Sequence, residues 1–240
     1  MRIALLASLL ASPVLADDEA QSNFVADNLV AIFYHELGHA LIDQLELPVL
    51  GKEEDAADIL SVLLIDEVWE PQIAQEIVAN TAMAYAISAA ASAEEDPGFW
   101  DVHGHDMQRY FTSVCLFYGA DPDNREQFAI AAELPVERAA GCPEERQLAE
   151  DSWWVYLQDL SDQAPGTALK LDAAEDEFTA TVIAEEIREL NERFDLPQAI
   201  EVDIEACDQI NAFYIPDESR IVMCSEFTNY LWEVAEAAEL

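Results

Sequence analysis

Positive charge is what this 240-residue sequence has least of. Ten lysines and arginines face fifty aspartates and glutamates, and the only lysines are Lys52 and Lys170. A net charge of −40 repels nucleic acid and anionic membrane surfaces, so neither is expected as a partner. The acids are spread along the chain, which favours a solubility role, of the kind that suits a salty medium, over attraction of cationic substrates. The sequence also lacks a long apolar run: none reaches the ~18 residues that a membrane span needs. It has no C-x-x-C pair, which disfavours a four-thiolate zinc site. Internal repeats and low-complexity linkers are absent too. Hydrophobic residues make up 52%, enough for a sizeable core, so the charge does not imply disorder.

The opening "MRIALLASLLASPVLADD" has Arg2, an apolar run, small residues and then an acidic start. That order predicts a secretory signal peptide over residues 1–16, cut after Ala16, with Val14 and Ala16 read by the peptidase. It contains no cysteine, so no lipid anchor is expected. The mature chain, residues 17–240, is expected to be a single exported domain, periplasmic or secreted. Cutting removes one charged residue, Arg2, and leaves −41. The four cysteines, Cys115, Cys142, Cys207 and Cys224, all follow the signal. In an oxidising compartment they predict two disulfides. Nearness in sequence favours Cys115–Cys142 and Cys207–Cys224 among the three pairings.

A short polar lead, "DDEAQSN", precedes a helical pattern from Phe24 to about Leu45, ended by Pro48 and Gly51. A second helix starts near Lys52, and a third, alanine-rich, starts at Pro71. Pro97-Gly98 reads as a turn. The helix "MQRYFTSVCLFYG" is expected to be capped by Gly119, and two further helical segments carry the chain to Pro165-Gly166. After the helix "EFTATVIAEEIRELNERF", the stretch "AIEVDIEAC" alternates as a strand does, and "NAFYI" and "RIVMC" form a hairpin across "PDES". The expected fold is α+β, mostly helical, with a small antiparallel sheet near the C-terminus.

His35, Glu36 and His39 form H-E-x-x-H. On a helix, positions i and i+4 share a face, so both imidazoles can reach one zinc ion at ~2.0–2.1 Å. Glu36 beside them can take a proton from a zinc-activated water. Gly38 costs the helix ~1 kcal/mol relative to alanine, which predicts close approach of another segment. Phe33, Leu37, Ala40 and Leu41 predict burial, and buried histidines beside a buried glutamate need a compensating cation.

A catalytic zinc takes a third protein ligand. "EEDAAD" offers Glu54 and Asp58, four apart on one helix face. Glu54 would ligate, with Glu53 the fallback, and Asp58 would accept a hydrogen bond from the outer nitrogen of a ligating histidine. The same cluster also suits a helix N-terminus electrostatically.

H-E-L-G-H followed by E-x-x-x-D resembles the glutamate-zincin metallopeptidases. More narrowly, "FYHELGHALIDQLELPVLGKEEDAADIL", "FWDVHGHDMQRYFTSVCLFYGADP" and "NAFYIPDESRIVMCSEF" resemble a bacterial family of exported metallopeptidases. The first stretch is the most specific. The resemblance implies a zincin-like fold, with His35, His39 and Glu54 as zinc ligands and Glu36 as base. It carries no substrate. Zincins place a strand hairpin and a helix before H-E-x-x-H, with an edge strand that pairs with substrate backbone. Here only about 18 residues lie between Ala16 and His35. The strands come at the far end instead, so a permuted order is expected, with Phe213–Tyr214 brought to His35. His103 and His105 share the loop "DVHGHD". His103, which follows "FWDV" and better matches the family stretch, is the candidate oxyanion stabiliser. Arg109 and Tyr110 are alternatives, and a second metal site at the histidine pair is a further reading.

These readings predict an exported zinc metallopeptidase acting on peptide or protein substrates. The competing classes are a non-catalytic exported zinc-binding or partner-binding protein on the same scaffold, and a zinc hydrolase of non-peptide amides.

Overall fold

The computed structural model describes residues 13–92 and 100–240. Most of the expected signal and the Pro97-Gly98 turn lie outside the described residues. The chain is α+β and mostly helical, with a four-stranded mixed sheet near the C-terminus. Helices α1 (Pro13–Gln44), α2 (Glu53–Val68), α3 (Pro71–Ala91) and α4 (Asp106–Ala120) come first. Short helices α5 (Glu126–Ala131) and α6 (Val136–Ala139) lead into α7 (Cys142–Ser161). Strand β1 (Leu169–Ala174), α8 (Glu177–Arg193), β2 (Ile200–Glu205), β3 (Ala212–Ile215), β4 (Arg220–Cys224) and α9 (Ser225–Ala237) follow.

Helix α1 is the spine. Phe24, Leu29, Phe33, Tyr34, Leu37, Ala40 and Leu41 are buried, and so are Val25, Val30 and Ile42 on its other sides. A helix apolar nearly all round is an interior helix. It packs against α2, α3, α8, α9 and β3. The polar lead "DDEAQSN" is itself helical, within α1. Pro71 opens α3 as expected. Gly119 is not a cap. It lies inside α4, where a Cβ would come within 2.3 Å of the Cys142 carbonyl oxygen, so α4 and α7 touch there.

The sheet corrects a second expectation. Its order is β1-β2-β4-β3, with β1–β2 and β2–β4 parallel and only β3–β4 antiparallel. The hairpin is where the sequence put it. The added strand β1, "LKLDAA", buries only Leu169 and shows little alternation. The crossover through α8 makes β1 and β2 parallel. Asp176 caps α8 by accepting from the Thr179 N–H at 2.8 Å. Cys115 pairs with Cys142 and Cys207 with Cys224, at Cα separations of 5.1 and 5.4 Å. Among the described residues no helix is long and apolar enough to cross a membrane.

Candidate metal centre

The site forms where α2 folds back on α1. A Cβ on Gly38 would lie 3.0 Å from Ala57 Cα, so only glycine lets the helices come this close. The first turns of α2 are thereby laid over the histidine face of α1. His35 Nε2 and His39 Nε2 are 3.1 Å apart, and Glu54 Oε2 is 3.2 Å from each. Two imidazole nitrogens and one carboxylate oxygen thus lie within 4.8 Å of one another. Donors tetrahedrally arranged about zinc at ~2.0–2.1 Å would sit roughly 3.3 Å apart, so the set fits such an ion without rearrangement.

The outer nitrogens are fixed as well. His35 Nδ1 is 2.8 Å from Asp58 Oδ1, and His39 Nδ1 is 2.8 Å from Glu53 Oε1. A carboxylate at each Nδ1 holds the proton there and turns the Nε2 lone pair inward. Asp58 also accepts from Arg109 Nε and NH2, both at 2.7 Å, and that guanidinium lies 4.4 Å from the Tyr85 ring centre. Asp58 is therefore where its spacing from Glu54 predicts. Glu53 meets the outer nitrogen of His39, and Glu54 is the carboxylate that faces both Nε2 atoms.

His103 reaches the same carboxylate, with Nε2 3.0 Å from Glu54 Oε2. Its Nδ1 and N–H meet Asp101 Oδ1 at 3.1 and 2.8 Å. Lys52 Nζ donates to the carbonyls of Asp101 and His103 at 3.1 and 2.7 Å, tying the loop to the start of α2. His105 is elsewhere, as the N-cap of α4. Tyr110 donates to the Ala132 carbonyl at 2.9 Å, away from the site, and Arg109 is occupied by Asp58. Among the described residues the histidine pair forms no second metal cluster.

Burial alone would push the His35 imidazole down, but hydrogen bonds accepted by Asp58 and Glu54 outweigh it and raise the pKa to about 9. His39 is raised by Glu54 and Glu53 against the same burial effect. Three imidazoles, His103 first, hold the Glu54 carboxyl far below the ordinary range. Asp58 is driven up by burial, yet Arg109 and His35 bring it to about 2. With no cation present, the anionic cluster balances itself by protonating imidazoles, a place that a divalent cation can take.

Glu36 is 4% exposed, and burial raises its pKa. The backbone of Tyr214 lies close enough to moderate that rise. Glu36 lines a cleft of about 840 Å³ with His35, His39, Glu54, Phe213 and Tyr214. Strand β3 is an edge strand of the sheet, and Phe213 and Tyr214, from the far end of the chain, line the same cleft as the H-E-x-x-H residues. Lys52, Tyr85 and the Tyr214 backbone were not foreseen. Lys52 carried one faint signal, being one of two lysines.

No curated protein and no solved structure matches the chain. One family model does, over residues 6–157 and 168–239, and its description is "Putative metallopeptidase". That match spans most of the sequence, including the H-E-x-x-H helix, both cleft-lining segments and all four cysteines: the chain belongs to this metallopeptidase family.

Proposed function

We propose that the protein is an exported zinc metallopeptidase of the H-E-x-x-H type, with His35, His39 and Glu54 as ligands, Glu36 as general base and Asp58 as the group that orients His35. The observation that carries this reading is the convergence of two inward-facing imidazoles, one carboxylate and a buried glutamate beside a free sheet edge. A zinc ion held there supplies a Lewis acid and a water with pKa near ~7. Glu36, buried and raised, takes a proton from the attacking water and passes it to the leaving amine. His103, turned toward the scissile carbonyl, steadies the developing oxyanion from the mouth of the cleft. The free edge of β3 offers backbone groups to an extended peptide. A zinc hydrolase of non-peptide amides would use the same groups.

Export accords with two paired disulfides. Cleavage after Ala16 would start α1 at Asp17, placing Asp17, Asp18 and Glu19 in its first turn, where a helix favours negative charge.

One observation supports a non-catalytic reading. His103 Nε2 already sits 3.0 Å from Glu54, so four groups could close around the ion and leave no open position. Metal analysis and turnover separate the readings. The proposal expects one zinc per chain, lost in His39→Ala and Glu54→Ala, and a Glu36→Gln variant that keeps zinc while losing peptide cleavage. Wild-type protein loaded with zinc but inert across a peptide library would favour the closed site. Zinc retained in Glu54→Ala would reject Glu54 as a ligand.

A further inference from the structure

Beside His35 the cleft adjoins a smaller pocket of about 180 Å³. Four helices enclose it, with Ile32 from α1, Ala84 from α3, Phe227 and Leu231 from α9, and Asp106 and Arg109 from α4. Ile32, His35, Arg109 and Phe227 line both spaces, so the pocket abuts the cleft. A cavity of ~150 Å³ holds one benzene, so this one accepts a single side chain.

Its walls are largely apolar, with two opposite charges among them. Arg109 has given its guanidinium to Asp58 in two hydrogen bonds and lies against the Tyr85 ring. Among the described residues the Asp106 carboxylate makes no hydrogen bond or salt bridge, and it interacts with Arg109, Tyr85 and Tyr230 through charge at longer range alone. A half-buried carboxylate with no hydrogen-bonded partner beside an apolar channel matches a side chain with an aliphatic stem and a cationic end. A glutamate entering the same space would meet repulsion from Asp106 and lose solvent.

We propose that this pocket is a specificity site that takes one lysine or arginine side chain next to the scissile bond, and that Asp106 selects it. This rests on the peptidase reading, and it gives the cation preference a local cause distinct from the charge of the whole chain.

The test uses zinc-loaded full-length protein and blocked alanine hexapeptides in which one position in turn is lysine, norleucine or glutamate. Binding is measured calorimetrically on Glu36→Gln, and cleavage on protein with Glu36 intact. At one position lysine should bind about ten-fold tighter than norleucine, the increment of a hydrogen bond to a charged group, and glutamate should bind weakest. Asp106→Asn should bring lysine and norleucine within about two-fold. Ala84→Phe, which fills the pocket without touching a charge, should abolish discrimination if Asp106→Asn does not fold. Cleavage with no basic preference, or a preference that survives both variants, overturns the pocket assignment and leaves the peptidase reading standing. Preferred binding of glutamate peptides would overturn it in favour of Arg109. Lysine-selective binding that depends on Asp106, with no peptide ever cut, would retain the cation pocket and reject the peptidase reading.

Discussion

Asp58 and Glu53 do the same job for two histidines in unlike surroundings. The Asp58 side chain is 10% exposed and carries His35 and Arg109 together, whereas the Glu53 side chain is 51% exposed and carries His39 alone. Partners that orient a ligand change metal affinity by ~10–100-fold when removed. Asp58→Asn should reach the top of that range and also lose about 3 kcal/mol of stability, since it strips a mostly buried guanidinium of its partner. Glu53→Gln should cost about ten-fold or less, because solvent can replace the exposed partner, and should leave stability unchanged. Competition with a chromophoric chelator, run beside urea denaturation, checks both; equal losses in the two variants would mean that burial does not set the difference. At this scale the sequence was legible wherever the proposed ligands lie within helical reach. The i, i+4 histidines and Glu54–Asp58 could be read directly. The Arg109–Asp58 fork joins positions 51 apart, and no spacing rule announces it.

The α1–α2 crossing turns those spacings into a site, and Gly38 sets its depth. A Cβ at position 38 would sit 3.0 and 3.1 Å from Ala57 Cα and Cβ, atoms that cannot rotate aside. Valine adds two methyl groups more. Gly38→Val should therefore lose about 1–3 kcal/mol to overpacking, despite the helix propensity gained in removing glycine. It should also weaken zinc binding, because lifting α2 carries Glu54 away from the histidines. Thermal melts and metal titration of the variant test this; normal zinc affinity would show that the crossing has slack. Gly38 could be read as a contact because glycine in an apolar helix needs a reason. Gly119 was misread because a glycine near a helix end looks like a cap and not like a crossing with α7. Strand β1 escaped because it exposes most of its length. The parallel pairings escaped because strand direction follows from the α8 crossover, which alternation within a single strand does not encode.

The whole molecule couples its acidity to the metal through pH. Three buried or half-buried groups on the α1 spine and its partner α8 have raised pKa values. Burial lifts Asp27 to about 6 and Glu186, in contact with Tyr34, to about 7. In the metal-free chain Asp58 and Glu54, working against burial, lift His35 to about 9. Each group holds its proton more tightly folded than unfolded. Each therefore contributes stability that is complete below its unfolded pKa and lost as pH rises through the folded value. The windows run from about 3.8 to 6, 4.5 to 7 and 6.5 to 9. Metal-free protein should thus weaken steadily from about pH 4 to pH 9, by an upper bound of about 3 kcal/mol for Glu186 alone at 1.36 kcal/mol per unit. Growing self-repulsion across the carboxylate range adds to the same trend. Zinc reverses the last window, since it binds only the deprotonated imidazole and gains affinity as pH rises. Urea denaturation from pH 5 to 9, with zinc and with chelator, should give curves that converge near pH 5 and separate progressively above pH 7. Glu186→Gln should flatten the chelated curve between pH 5 and 7 and leave the zinc-dependent gap intact. Parallel curves with and without zinc would break the link between the histidine cluster and the ion, because a cation bound elsewhere would not compete with the His35 proton.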